Sequence, residues 1–331
     1  MRNLSDKTSG TPPGRLDRLI VFFGRPWVFA LAFAFLLIPS QWLVAAMNTG
    51  AAFLKIDTGA RPTAMGGAYT ALADDVNALY YNPGGLGNLR QRELGATHTQ
   101  WLMNTTFDFF GYAHPLQNGT LGLGVTRLGI GQQEGRDANR QAAQSYEASD
   151  TAYTIGYSRR MDVLPTGRIS LGGNFKYLQS RIGEYSASAV AFDAGALHTL
   201  DSMPLSLGFS VLNIGKGMTY LDQTDPLPLT FSLGAAYRFA EVFQVTTDIR
   251  HEAYDHRTSL GIGTEYALMP RFSIRAGYTS FAASGLGDAA GALGGLGGGF
   301  GLKLGRYRAD YTFTPFGALG NAQRLSLGAR F

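Results

Sequence analysis

Few residues in this sequence have the types and spacing to do chemistry. Asp74 and Asp75 are adjacent carboxylates that could act as general acid and base or as metal ligands. A structural role, capping a turn or pairing with arginines, fits them better. His251-Glu252-Ala253-Tyr254-Asp255-His256 has the residue types of a zinc-hydrolase helix. Its histidines stand five apart rather than the four that bring both onto one helical face, and the stretch falls where one strand turns into the next. Metal binding is therefore not expected there. His98 and Asp108, with serines elsewhere, supply the residue types of an acyl hydrolase, but spacing along the chain cannot assemble a triad across strands. Gly294 to Gly301 is rich in glycine but lacks the strand-then-helix setting of a phosphate-cradling loop, so a flexible outer loop is expected. With no cysteine, the chain has no disulfides, thiolate–zinc sites or thiol catalysis. No cofactor, no metal and no enzymatic activity are expected.

The elements that would position such residues are those of a membrane protein. Charged residues make up 16% of the chain, against roughly 25% in ordinary globular domains. Its 44 glycines are about twice the usual share. Aromatics are plentiful, at 21 Phe and 16 Tyr, yet mean hydropathy is close to zero. Helical spans need about 20 consecutive apolar residues each and would raise that mean far higher. A transmembrane β-barrel puts apolar residues on one face only, and its average comes out neutral.

The formal net charge of +4 belongs mostly to the amino terminus. Residues 1–46 carry Arg2, Lys7, Arg15, Arg18 and Arg25 against Asp6 and Asp17, a net of +3 that leaves +1 for the rest. That balance gives no electrostatic case for nucleic-acid binding. Arg15, Arg18 and Arg25 precede the apolar run Trp27 to Ile38, Pro39 interrupts it, and Val44-Ala45-Ala46 offers a cleavage site. This layout predicts a secretory signal peptide over 1–46. A retained anchor over Trp27 to Ala46 is the alternative, disfavoured by Pro39 and Gln41.

Residues 47–90 read as a compact small-residue segment with short helical stretches, in which Asn82-Pro83 suits a helix start. From about Arg90 the period becomes two. Leu205, Leu207, Phe209 and Val211 alternate with Ser206, Gly208 and Ser210. Tyr307, Ala309, Tyr311 and Phe313 alternate with Arg308, Asp310 and Thr312. Each such segment has one apolar and one polar face. About fourteen of them fit residues 91–331, mostly ten to twelve residues long, the length a tilted strand needs to cross a bilayer. Connections after even-numbered strands are short, and the longest, Gly131 to Asp150, Gly215 to Leu227 and Ala282 to Leu296, follow odd-numbered ones.

The expected fold is therefore all-β, a transmembrane antiparallel β-barrel of about 14 strands with a small N-terminal plug containing short helices. If the apolar rows face lipid, Arg238, Asp248, Arg250, Arg275, Arg308, Asp310 and Arg330 point into the lumen, where both signs of charge favour internal salt bridges. The last strand alternates through Leu325, Leu327 and Ala329 to the terminal Phe331, which resembles the signal read by the barrel-assembly machinery. A soluble β-sandwich edge strand is the alternative.

Residues 59–86 resemble the PorV/PorQ branch of the FadL-like outer-membrane proteins. The resemblance lies in Arg61-Pro62, Met65-Gly66-Gly67-Ala68, Ala73-Asp74-Asp75 and Tyr81-Asn82-Pro83-Gly84-Gly85-Leu86. It implies an N-terminal hatch plugging a fourteen-stranded barrel, with Arg61, Gly66, Gly67, Asp74, Asp75, Asn82 and Pro83 as hatch or gate residues. Gly84 stands where that family usually has Ala, a change compatible with the same turn. The family moves hydrophobic molecules across the outer membrane of Gram-negative bacteria, and PorV-type members serve type IX secretion. The resemblance thus implies passive transport of a hydrophobic small molecule, with Gly131–Asp150 and Ala282–Leu296 as the capture surface. A non-conducting platform for secretion-system proteins is the alternative, and an outer-membrane lipid hydrolase a third. The expected surroundings are outer-membrane lipid and the assembly machinery.

Overall fold

The computed structural model describes residues 49–136, 141–239, 242–280 and 295–331. The expected signal peptide, 1–46, and most of the expected loop Ala282–Leu296 lie outside the described residues. The first barrel strands are β1 (Glu93–Gln100), β2 (Thr105–Leu116), β3 (Gly119–Arg136) and β4 (Ala142–Leu164). β5 (Gly167–Ile182), β6 (Tyr185–Leu200) and β7 (Leu205–Gly215) follow, then a small hairpin of β8 (Met218–Tyr220) and β9 (Gln223–Asp225). β10 (Thr230–Phe239), β11 (Phe243–Glu252), β12 (Arg257–Met269) and β13 (Phe272–Thr279) continue the wall. It ends with β14 (Leu296–Leu304), β15 (Tyr307–Pro315) and β16 (Asn321–Arg330).

All but β8 and β9 form one closed antiparallel barrel of fourteen strands, sealed where β1 pairs with β16. Closure leaves no sheet edge, the condition for a sheet to lie in hydrocarbon. The period-two pattern sets the facing. Leu121 and Leu123 on β3, Phe209 on β7, Leu233 on β10 and Leu325 and Leu327 on β16 are exposed on the outer surface, and the alternate positions are buried. Among the described residues no helix is long and apolar enough to cross a membrane. Because Leu233 is 58% exposed on the outer row, Leu233→Arg is expected to destabilise the barrel in lipid by about 2–4 kcal/mol. Urea titration in liposomes would measure it, and an unchanged midpoint would mean that this row does not meet lipid.

The strand count and alternation agree with the sequence reading; three connections do not. Gly131–Asp150 is not a loop: β3 and β4 run on as a paired ribbon to Arg136 and Ala142, past the last partners of β2 and β5 at Ile130 and Ala148. Gly215–Leu227 folds into the β8–β9 hairpin. The glycine-rich stretch ending at Gly301, expected as a flexible loop that runs into a strand near 297–304, is strand from Leu296 onward, and Gly298, Gly299 and Gly301 of β14 pair with both neighbours. Glycine content misled there because glycine in this wall serves close approach rather than turning.

The short turns β2–β3, β4–β5, β10–β11 and β14–β15 share one end of the barrel, where β1 begins and β16 finishes. At the other end lie the β3–β4 ribbon, the β8–β9 hairpin and the turn containing Asp255.

Candidate functional site

Residues 49–92 pack against the inward rows of the wall. They form a 3-10 turn (Ala52–Lys55), α1 (Ala60–Ala64), α2 (Ala78–Tyr81) and a second 3-10 turn (Pro83–Asn88). Asn82 caps that last turn, accepting from Gly84 N at 3.0 Å, with Pro83 in the first position, so the expected helix start is present in 3-10 form. The segment's Met65, Tyr69, Val76, Leu79, Tyr81 and Leu86 form one buried apolar cluster with Phe109, Ala113, Leu197 and Ala236 of the wall.

Glycine seats this segment on the wall. Inward glycines pair across neighbouring strands: Gly95 with Gly111, Gly122 with Gly156, Gly172 with Gly195, Gly208 with Gly234 and Gly263 with Gly277. Without side chains, Gly172, Gly208, Gly263 and Gly277 let backbone meet backbone, and Gly95, Gly111, Gly122 and Gly156 make room for the side chains of Val76, Leu79 and Leu86. A Cβ on Gly277 would lie 2.2 Å from Gly66 N, and one on Gly208 2.2 Å from Thr70 O. Gly66 and Gly67 have φ of +65° and +72°, a conformation that favours glycine. That turn presses the segment against Ile262 and Tyr278.

Charge fixes the segment at the short-turn half. The Arg61 guanidinium grips Glu265 in two places, at 2.8 and 3.1 Å, donates to the Tyr69 hydroxyl at 2.9 Å and pairs with Asp74. Glu265 accepts from Arg275 at 2.5 Å, and Arg275 reaches Asp310 at 2.8 Å. Asp310 pairs with Arg308 at 2.8 Å, and Arg308 donates to Asp75 at 2.7 Å. Asp75 lies 3.8 Å from Arg61, which closes a ring of three arginines and three carboxylates in alternation. Two members, Arg61 and Asp75, belong to the segment and four to the wall. Beside the ring, Arg330 donates to Glu93 at 2.8 Å and to the Asp74 carbonyl at 3.1 Å.

Asp75 also accepts from the backbone and side chain of Asn77, at 3.0 and 2.9 Å, ahead of α2. Burial, the largest influence, pushes its carboxyl up, but Arg308 and Arg61 outweigh it and hold it down to about 2. A depressed carboxylate stabilises the folded arrangement fully above its unfolded value near 4, and that contribution is lost as pH falls through about 2. Proteolysis with pepsin between pH 4 and 2 should find the segment protected until close to the lower limit. Release already at pH 4 would show that this carboxylate does not hold it.

The other expected site residues have distinct places. Asp248 accepts from the backbone N–H of Tyr69 and Thr70 at 2.9 and 2.8 Å. Arg250 pairs with Asp57 at 3.1 Å. The Asn82 amide donates to the carbonyls of Thr70 and Ala196 at 2.8 and 2.9 Å, joining segment to wall, and Pro83 lies over Gly172 and Gly195. Arg238 shares the inward row of β10 and is exposed at the short-turn end, opposite Gln244, which donates to Glu265 at 2.8 Å. Leu325, Leu327 and Phe331 are exposed on the outer face.

Sequence reasoning missed Glu265, Glu93, Asp57, Lys55 and the pair Lys176–Asp193 at 2.8 Å. Glu265 had a signal: it continues the inward row Gly261, Gly263 on β12. The reading that puts the polar rows toward the lumen also needs correction. Toward the far end the inward residues Phe107, Ala152, Leu178, Ala187, Ala189 and Ala191 are buried and apolar, clustered with Phe53 and Leu54 of the segment and Met218 and Leu227 of the β7–β10 connection. Ala187, Ala189 and Ala191 alternate with Ser188, Val190 and Phe192, so alternation in hydropathy was faint there. Lys55 and Thr49 hold Asp255 at this end, at 2.5 and 3.2 Å.

Among the described residues no serine is hydrogen-bonded to His98. His98 and Asp108 meet at 2.6 Å but face outward, whereas Ser326 faces inward and bonds Thr97 at 2.7 Å. His251 bonds Thr258 at 2.9 Å near the end of β11. No cluster of metal-ligating side chains occurs among the described residues.

The sequence matches the family described as "Uncharacterised protein family (UPF0164)" over residues 44–189. No curated protein matches it. Among solved structures, the Pseudomonas putida toluene transporter TodX is similar at 14% identity and a TM-score of 0.58, covering 82% of this chain and 96% of that one. The Ralstonia pickettii toluene transporter TbuX gives 12% and 0.58, covering 83% and 98%. A Pseudomonas aeruginosa FadL homologue gives 12% and 0.52, covering 80% and 95%. A closed fourteen-stranded antiparallel barrel is thus the fold this chain shares with these transporters and the FadL homologue.

Proposed function

We propose that this protein is an outer-membrane channel for passive passage of small hydrophobic molecules, with residues 49–92 as its hatch. The observation that carries this reading is the apolar lining on β2–β6 at the far end, occupied by the chain's own Phe53 and Leu54. A wall that met only water there would gain nothing from an inward Phe107 and Leu178, whereas an apolar solute leaves water to bind such a surface. The toluene transporters of similar fold support the same substrate class. In this reading a solute enters at the far end, takes the place of Phe53, and passes once the hatch around Arg61, Asp74, Asp75, Asn82 and Pro83 shifts. Residues 1–46 direct export, and the final strand with Leu325, Leu327 and Phe331 is read by the assembly machinery.

Uptake of labelled toluene into proteoliposomes whose outer leaflet is lipopolysaccharide tests the proposal, because phospholipid alone does not retard so apolar a solute. Uptake should exceed that of protein-free vesicles severalfold and rise further in Phe53→Ala, which vacates a buried ring. Equal uptake with and without protein would overturn it.

A second reading, a PorV-like platform for secretion partners, draws on the β3–β4 ribbon, whose residues 131–136 and 141–145 have no ladder partner in β2 or β5. Crosslinking from the exposed Tyr146 in native envelopes would favour it by trapping a stable partner. A solitary barrel would exclude it.

A further inference from the structure

The short-turn mouth holds a cavity of about 530 Å³ beneath the charged ring, on the side of the barrel built by β12–β16. Seven basic side chains line it against four carboxylates, Asp74, Glu93, Glu265 and Asp310. All four carboxylates are already paired, with Arg61, Arg275, Arg308 and Arg330. The remaining cations, Arg271, Lys303 and Arg306, have no carboxylate within ion-pair distance among the described residues.

Arg271 precedes the inward row of Ser273 and Arg275, and Lys303 continues that of Gly301. Arg306 stands in the β14–β15 turn with its guanidinium 5.7 Å from the centre of the Tyr307 ring. All three line this cavity at the opening of the lumen. Three like charges converging on one concavity repel each other, and low-dielectric walls focus their field on whatever enters. Arginine suits carboxylate or phosphate oxygens in particular, because its planar fork donates two parallel hydrogen bonds.

We propose that this mouth binds a soluble, multiply charged oxyanion, carboxylate or phosphate, held by Arg271, Lys303 and Arg306. The site is independent of whether the barrel conducts apolar solutes. It adjoins the ring, so its ligand stands near the guanidiniums of Arg61 and Arg330 that hold Asp74.

Calorimetric titration of the full chain in non-ionic detergent at low ionic strength, with citrate and separately with pyrophosphate, tests this. At least one probe should bind saturably. Binding should weaken tenfold or more in the triple variant R271Q/K303Q/R306Q, and less in R306Q alone. K216Q, in the β7–β8 connection at the opposite end, should bind like the unaltered protein. Heat-modifiable gel migration confirms that each variant is folded, and all three altered residues are exposed. No saturable binding of either probe, or equal affinity in the folded triple variant, overturns the proposal. Nanodiscs distinguish the source of the anion: binding unchanged between zwitterionic and phosphatidylglycerol discs supports a soluble ligand, and its loss in the anionic discs assigns the cations to headgroups and overturns it.

Discussion

Replacing Gly277 by valine is expected to expel residues 49–92 from the lumen while the barrel still assembles. Even the first carbon of the new side chain would sit 2.2 Å from Gly66 N and 2.3 Å from the Met65 carbonyl carbon, both backbone atoms that no rotamer change can move. Valine suits the extended backbone of β13, so the wall has no reason to refuse it. The whole penalty therefore falls on the seated segment, whose contacts with β12 and β13 centre on this spot. Protease should cleave the variant between residues 49 and 92, and planar bilayers should record an ion-conducting pore where the unaltered protein is closed. Gly298→Ala in adjacent β14 is the control, since its nearest neighbour lies at 3.8 Å. Protection equal to the unaltered protein in Gly277→Val would mean that the segment is not pressed against this part of the wall.

Arg308→Met is expected to have the next largest effect. Arg308 serves Asp75 and Asp310, whose side chains are 0% and 1% exposed, and its loss opens the alternating ring. Removing one partner from a buried ion pair costs about 3–5 kcal/mol, because the other charge stays buried without compensation. The cost should appear as loosening of the segment, read as amide exchange at residues 74–78 increased a hundredfold or more. Adding Asp75→Asn removes the stranded charge, and the double variant should recover part of the protection. If the double variant is worse than the single by the full effect of Asp75→Asn alone, the two residues act independently and the ring is not a unit.

Much of the fold was legible because one rule, alternation across a strand, applies from Glu93 to Arg330. It identified the outward Leu325 and Leu327 and the inward Asp248, Arg275 and Asp310 without knowledge of any contact. Legibility failed where that rule carries no signal. Over the first half of β6 the inward row is alanine and the outward row mixes serine with apolar residues, and hydropathy could not announce an apolar lining. The β3–β4 ribbon looked like a loop because outside lipid a strand has no greasy face to declare it. Pairing was harder still. Arg61 is 204 residues from Glu265 in sequence, and Asp75 is 233 from Arg308. Only closure of the ring of strands brings them together, so the sequence offers their charges without their partners. Glycine was the most misleading, since its abundance announces turns as readily as contact surfaces.

The route of the chain through its own wall constrains the order in which the molecule is put together. Thr49 is tied to Asp255 at the long-loop mouth, and Glu93 starts β1 at the opposite mouth, so the intervening stretch runs the length of the tunnel. Several of its anchors come from the last strands made: Arg308 and Thr312 on β15, Ser326 and Arg330 on β16. Those anchors are complete only once the seam between β1 and β16 has zipped, so its final hydrogen bonds lock in cargo that the same ribosome delivered first.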